Sequence, residues 1–424
     1  MPMLLGTKGK DILKWRASSE LVAALEESLA RQWARSSARE AESLLARFID
    51  TLDEELAYEE QFLRETSALD QAIDEAADLE QLRPLKLRYR EVVCAHFRRR
   101  ESVLAHCDAC NRLHDRLMER AITLAKERML RLGQGEAPPH ALLVSGDRGR
   151  GEETLFGENR YFLLHQDESP GSALFSRQLA ATLAEAGLLQ GEQMFWHGSA
   201  RQWQELLGES FPLRDPGGQR NMLAALPPFA APLKPGPQQM PDWAWRVEAL
   251  ADLAPVHGAA PLASQALDSA SATLEREHNR GPFLQLARRV IGLPLAVGRF
   301  GGLRLQRNGE HRGELNIEEL ALGPLVLTVR ILAVNAGIRA RGTVERIKEL
   351  LEKGALDVEL AERLLKAFQC FMQLKILSEI RSEEGGAFCI PEELDEVQDA
   401  RLRAALEAVL NLQKIAYQRM VGQG

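Results

Sequence analysis

Ser145-Gly146-Asp147-Arg148-Gly149-Arg150-Gly151-Glu152-Glu153-Thr154 follows directly on the apolar run Ala141-Leu142-Leu143-Val144, and this junction decides how the chain reads. A short apolar run closed by glycines reads as a buried strand ending in a turn, because glycine takes positive φ and lets the backbone approach a neighbour or a ligand closely. A turn so placed can present N–H groups to phosphates, with Arg148 and Arg150 adding charge. It is not a Walker A loop, since no Gly-Lys-Ser/Thr follows. Local physics alone also accommodates a tight surface turn without a ligand.

Outward from this junction the texture changes on both sides. Upstream, residues 18–134 contain one proline, Pro84, and apolar residues recur at helical spacing: Leu21, Leu25, Leu29 and Trp33 on one face, then Leu45, Ile49, Leu52 and Leu56, then Leu113, Leu117 and Leu124. Several long antiparallel helices are expected there, stopped by Gly133, Gly135 and Pro138-Pro139. Downstream, Tyr161-Phe162-Leu163-Leu164 and Met194-Phe195-Trp196 read as strands with a helix over 173–187 between them, and 247–253 reads as a fourth strand. Eight of the 19 prolines fall in 211–241, a density that marks an irregular excursion or linker. Helices return over 324–335, 343–353 with Thr343 as N-cap, 357–381 with Asp357 as N-cap, and 391–420 with Pro391 in the first turn.

A chain of 424 residues exceeds one hydrophobic core, and 45% apolar with 27% charged residues is the composition of a water-soluble globular protein. The pattern divides it into a helical region 1–135, an α/β region 136–260 and a helical region 261–424. The fold class expected is α+β, predominantly helical. Residues 1–85 carry 18 acids against 10 bases and hold the whole net charge of −8, while the rest balances at 43 against 43, so no nucleic-acid footprint is expected. No apolar run reaches membrane-spanning length and the amino-terminal residues lack a basic region with an apolar core, so no membrane partner and a cytoplasmic location are expected. The five cysteines are sparse and odd in number, consistent with reduced thiols.

With these motifs in place the chain resembles a known family. The loop is similar to the signature Gly-Ser-x-Gly-Arg-x-Glu-x-Thr followed by an Asp-x-Asp strand, found in signal-transduction nucleotidyltransferases that often carry CBS or cyclic-nucleotide-binding modules and are related to PII-uridylyltransferases. The likeness extends over residues 90–420, through 120–125, 194–203, 251–258, 329–333 and 343–347. It implies a small mixed sheet with flanking helices, followed by a helical domain that binds the acceptor. The activity implied is transfer of a nucleotidyl group from a nucleoside triphosphate with carboxylate-held Mg²⁺. Residues 1–85 match neither accessory module.

Laid on the signature, Gly146, Asp147, Arg148, Gly149, Arg150, Glu152, Thr154 and Arg160 become the nucleotide-binding set, and Glu158 and Asp252 the catalytic and metal-holding set. The chain departs from the family where it matters chemically. Asp147 stands at the usual serine, Glu158 at the first aspartate and Arg160 at the second, while Asn316 stands where the helical domain usually has an acid. Two acids at i, i+2 on a strand share a face and can reach a common pair of metal ions. A guanidinium cannot ligate Mg²⁺ and repels it by about 4 kcal/mol per unit charge at 4 Å and an effective dielectric of 20.

The expectation is therefore a nucleotidyltransferase-like signalling or regulatory protein with an impaired, degenerate site kept as a folding element, in which Arg150 and Glu152 pair with neighbours and Arg160 with Glu158 or Asp252. Nucleotide or protein binding would survive. The alternative is an active Mg²⁺-dependent uridylyl- or adenylyltransferase using Glu152, Glu153 or Glu158. The cofactors are a nucleoside triphosphate and Mg²⁺ if the site is active, and none otherwise. A helical scaffold without a ligand is the third reading.

Two further groups weigh less. Cys107, Cys110 and His114 share one helical face, with His106, Cys94 and His96 nearby. A structural zinc site normally takes its cysteine pair from a turn, so these read as buried side chains. His165, His197 and His257 read the same way. The acids Glu26-Glu27, Asp53-Glu54-Glu55, Glu59-Glu60 and Asp74-Glu75 make the amino-terminal region a candidate surface for a basic protein partner, or simply a solvated face.

Overall fold

The computed structural model describes residues 38–189, 195–208, 242–278, 280–297, 302–382 and 385–421. The face of Leu21, Leu25, Leu29 and Trp33, the pair Glu26-Glu27, Met194 and the proline-rich excursion 211–241 lie outside the described residues. The chain divides into two compact units, residues 1–109 and 110–424. Among the described residues no helix is long and apolar enough to cross a membrane.

The first unit contains α1 (Ala38–Glu75), α2 (Leu79–Arg100) and the start of α3 (Val103–Arg131). Asp78 accepts from Gln81 N at 2.9 Å and caps α2, and Glu101 in the left-handed region ends it. Phe62, Ile73, Leu82, Tyr89, Val93 and Phe97 are buried. The acidic face is thinner here than the sequence suggests. Glu59 is buried, with Arg100 Nε donating to it at 2.7 Å and His96 Nε2 at 3.3 Å. Glu55 takes Arg99 Nη2 at 2.8 Å and also pairs with Arg100. Asp53, Glu54, Glu60, Asp74 and Glu75 remain exposed.

The second unit is built on a four-stranded mixed sheet. Its strands are β1 (His140–Gly146), β2 (Asn159–His165), β3 (Phe195–Ser199) and β4 (Ala254–Gly258), in the order β3-β2-β1-β4. β1 is antiparallel to both β2 and β4, and β2 is parallel to β3. A parallel pair needs a crossover, supplied by α5 (Pro170–Glu185), which Ser169 caps by accepting from Ser172 N at 3.2 Å and which Gly187 follows at φ 66°. Between β1 and β2 lies the one-turn helix α4 (Asp147–Arg150), and after β3 comes α6 (Ala200–Gly208). Leu143, Phe162, Trp196, Trp203 and Leu253 fill one apolar cluster, with Phe162 and Trp203 edge to face at 5.6 Å between centroids.

The expected fourth strand is displaced. Residues up to Ala251 are helical as α7 (Asp242–Ala251), and the strand begins only at Ala254. The buried residues Val247, Ala249 and Ala251 alternate as they would in a strand, and a run that short carries no period that separates the two.

Helices return in α8 (Ala260–Glu277), α9 (Gly281–Ile291), α10 (Gly323–Asn335), α11 (Thr343–Glu352), α12 (Val358–Ser382) and α13 (Glu396–Met420). A π-helical turn, Glu318–Leu322, precedes α10, and the two-residue strands β5 (Leu315–Asn316) and β6 (Phe388–Cys389) pair antiparallel. Buried residues run all round α10, from Pro324 to Val334, which makes it the central helix of this layer. Asp357 accepts from Leu360 N at 2.7 Å, as its position before α12 predicts. Thr343 is the first helical residue and not the cap, and Pro391 opens a 3₁₀ turn, so α13 starts at Glu396 behind Asp395 and a capping box.

Phe162→Ala is expected to lower unfolding free energy by about 3–5 kcal/mol in a denaturant melt, since it opens a cavity beneath Trp203 at the centre of the sheet.

Candidate functional site

The loop after β1 folds as it does because two of its glycines have no alternative. Gly146 has φ +101°, and a Cβ there would stand 2.1 Å from the Glu158 carbonyl oxygen. A Cβ at Gly149 would stand 2.1 Å from the Asp252 carbonyl oxygen, so this glycine lets the turn close onto the segment before β4.

That closure brings together the residues which the sequence singles out. Asp252 is buried and its two carboxylate oxygens meet three guanidinium groups. Arg330 of α10 donates from Nε at 3.1 Å and from Nη2 at 2.5 Å, Arg150 from Nη1 at 2.9 Å, and Arg346 of α11 lies with Nη2 at 2.9 Å. Burial alone would raise this carboxyl, but Arg330, Arg346 and Arg150 hold it well below the carboxylate range. Arg150 also donates from Nε to Glu152 at 2.6 Å and is bonded to Asp147. Three acids and three arginines thus form one buried, charge-balanced knot.

Glu152 and Thr154 reach into the carboxy-terminal helices. Glu152 Oε1 accepts from Thr343 N at 2.6 Å, placing a carboxylate at the N-terminus of α11, where unpaired N–H groups and the helix dipole favour it. This side chain, not Thr343, caps that helix. Thr154 Oγ1 donates to Glu379 Oε1 at 2.8 Å and Leu155 N to Glu379 Oε2 at 3.2 Å. Arg148 forms a bidentate pair with Asp115 at 2.8 and 2.5 Å and takes no part in the knot.

Glu158 and Arg160 border a cavity of about 180 Å³ together with Asp147, Glu248, Glu318, Arg330 and Lys375. Arg160 does not pair with Glu158 or Asp252 as expected; the carboxylate nearest to it is Glu248 of α7, at 3.9 Å. The oxygens of Asp252 are already taken by Arg150, Arg330 and Arg346, and the Arg160 side chain runs toward α7 instead. Loss of hydration and the facing carboxylates Glu318 and Asp147 raise the pKa of Glu158. Lys375, reaching in from α12, places its ammonium 3.1 Å from Glu318, 3.8 Å from Asp147 and 3.9 Å from Glu379. Burial would lower its pKa, but these three acids raise it, so the lysine stays charged. Sequence reading misses Lys375, Glu318 and Glu379, which lie outside any motif. Asn316 instead accepts from Glu319 N at 2.8 Å and holds the turn before α10.

Two models of known families match this chain in tandem, one described as Putative nucleotidyltransferase DUF294 over residues 88–216, the other as Putative nucleotidyltransferase substrate binding domain over residues 280–420. The chain belongs to this nucleotidyltransferase family. No curated protein matches it. The loop, β2 with Glu158 and Arg160, α5 and β3 thus fall in the nucleotidyltransferase segment, while Arg330, Arg346, Lys375 and Glu379 fall in the substrate-binding segment. The knot joins the two.

The metal set implied by the family does not fit these residues. Arg160 stands at one acid position, the oxygens of Asp252 are engaged by arginines, and Lys375 lies among the remaining acids. Among the described residues no three His, Cys, Asp or Glu side chains are placed to hold a metal ion. The histidines stand elsewhere: His165 bonds Ser176 at 2.7 Å and His257 bonds Lys126 at 3.2 Å. Cys107 and Cys110 are buried on α3.

Gly149→Ala is expected to lower the melting temperature by several degrees, through the clash with the Asp252 carbonyl, whereas Gly151→Ala, whose Cβ meets only the Asn111 amide at 3.9 Å, is expected to show only the milder strain of its positive φ. Glu153 supplies a pH test. It is buried with Asn159 Nδ2 donating to both oxygens at 3.1 and 2.9 Å, and burial together with the charge of Asp147 raises its pKa to about 8. A carboxyl with a raised folded-state pKa keeps its full stability below its unfolded value of about 4.5 and loses it as pH rises through about 8. Glu153→Gln is therefore expected to match the wild type in melts at pH 4.5 and to exceed it at pH 9, by on the order of 5 kcal/mol.

Proposed function

We propose that this chain is a nucleotidyltransferase-like regulatory protein in which transfer chemistry is impaired and the inherited site serves as the joint between its two family segments. The observation that carries this reading is Asp252, whose carboxylate is occupied by Arg150, Arg330 and Arg346. An acid so held cannot turn to a metal ion without leaving the buried guanidinium groups of Arg330 and Arg346 without a carboxylate, which costs several kcal/mol. Arg160 supports the same reading from the opposite side of the cleft, and the cavity of about 180 Å³ is below the roughly 300 Å³ of ordinary small-ligand sites. Gly146, Asp147, Arg148, Gly149, Arg150, Glu152, Thr154 and Arg160 remain the residues proposed to meet a nucleotide, and because Arg148 is held by Asp115 and Arg150 by the knot, the direct phosphate contact falls to Arg160 and needs no divalent ion.

One observation favours the alternative, an active Mg²⁺-dependent transferase. Burial and the charges of Glu318 and Asp147 raise the pKa of Glu158, and acids gathered around one cleft favour a cation. Lys375 already supplies a cation among them, which is why the first reading is preferred.

Calorimetric titration of the four nucleoside triphosphates, with Mg²⁺ and then with EDTA, separates the two. Weak binding indifferent to EDTA, with no labelled nucleotide transferred, is the expected result. Tight binding that EDTA abolishes would overturn the reading. Arg160→Asp combined with Glu158→Asp is expected to raise Mn²⁺ affinity at least tenfold by restoring an i, i+2 acid pair.

A further inference from the structure

A second cavity, of about 350 Å³, lies between the end of α7, α8 and the turn after α10. Its walls are apolar, with Leu253, Leu267, Leu274 and Ile338 among them, and Ser271 of α8 contributes a hydroxyl. This volume lies within the range of small-molecule sites, unlike that of the motif cleft. Its charge is one-sided. At the rim Arg339 Nη2 donates to Glu275 at 2.6 Å, so those two charges cancel. Arg341 is not cancelled: it donates from Nη1 to the Leu253 carbonyl at 3.4 Å, and among the described residues no carboxylate lies within ion-pair distance of it. Arg341 stands exposed at the mouth of the cavity, where partial loss of hydration and the nearby Arg148 guanidinium lower its pKa.

We infer that this cavity is a binding site for a small apolar monoanion, with an aliphatic or aromatic body against the leucine walls and a carboxylate-type head on Arg341. An apolar body alone would leave the Arg341 guanidinium, exposed at the mouth of the cavity, without a counter-ion, and a bare anion would leave the leucines uncovered, so the lining selects for both features in one molecule. The site is separate from the motif cleft and holds whether or not transfer chemistry survives there. It touches the cleft through one short segment. Ala251 and Leu253 line this cavity, while Asp252 between them directs its carboxylate to Arg150 and Arg330, which line the other. Arg346 reinforces the link by donating to the Ala251 carbonyl at 2.7 Å. An occupant pressing on residues 251–253 therefore bears on the backbone of the knot's central acid.

The test uses the full chain and three probes, octanoate, octanol and inorganic phosphate, in isothermal titrations. Octanoate is expected to bind saturably at one per chain, octanol at least tenfold more weakly, and phosphate without detectable heat. Arg341→Gln, an exposed substitution that leaves the walls intact, is expected to bring octanoate down to the level of octanol. Ser271→Trp, which fills the cavity from α8, is expected to abolish both. Absence of saturable octanoate binding, phosphate binding as tight as octanoate, or an unchanged octanoate-to-octanol ratio in Arg341→Gln would each overturn the assignment.

Discussion

Everything in the second unit is arranged around one buried carboxylate. Asp252 sits where water cannot reach it, and an ionised group there is tolerated only with counter-charge and hydrogen bonds at contact distance. Arg150 comes from the turn after β1, Arg330 from the central helix α10, and Arg346 from α11, so one acid fixes three elements at once. Asp147 and Glu152 then balance the arginine charge. Removing any one member leaves a buried charge uncompensated, a heavier loss than that of a surface ion pair.

The knot also explains the geometry of the loop. A turn this close to the Asp252 backbone has no room for a side chain at Gly149, and the strand-to-helix reversal needs the positive φ of Gly146. Glu152 continues the connection to the N-terminus of α11 and Thr154 to Glu379 of α12. Residues of a type that binds phosphate in a nucleotidyltransferase are here engaged with the protein itself. Lys375 extends the same logic, its ammonium standing among Asp147, Glu318 and Glu379. On the reading proposed above, the chain carries its own cations where its family would recruit them.

The first unit shows the same economy with charge. Glu55 and Glu59 belong to an acidic run that looks like open surface, yet both are held by Arg99, Arg100 and His96 of the next helix. A charge run on a helix spans more than one face, and the face turned inward must be neutralised.

By itself the sequence determined the local elements and the likeness to a family. Helical spacing, the glycine and proline stops and the β1 run locate α3, β1, β2 and α5, and Asp357 caps α12 where its residue type and position say it should. The signature around Gly146 and Arg150, with its departures at Glu158 and Arg160, is equally legible, because those residues are contiguous. Only the tertiary structure decided the rest. The helix at 242–251 replaces a strand because a short apolar run fits both periods and packing chooses between them. The partners of Asp252 lie 78 to 102 residues away for Arg330 and Arg150, and nothing in the local pattern distinguishes those arginines from the many others. An ion pair is a property of distance in space, and the chain reveals it only once the sheet and the helices that carry its members have been brought together.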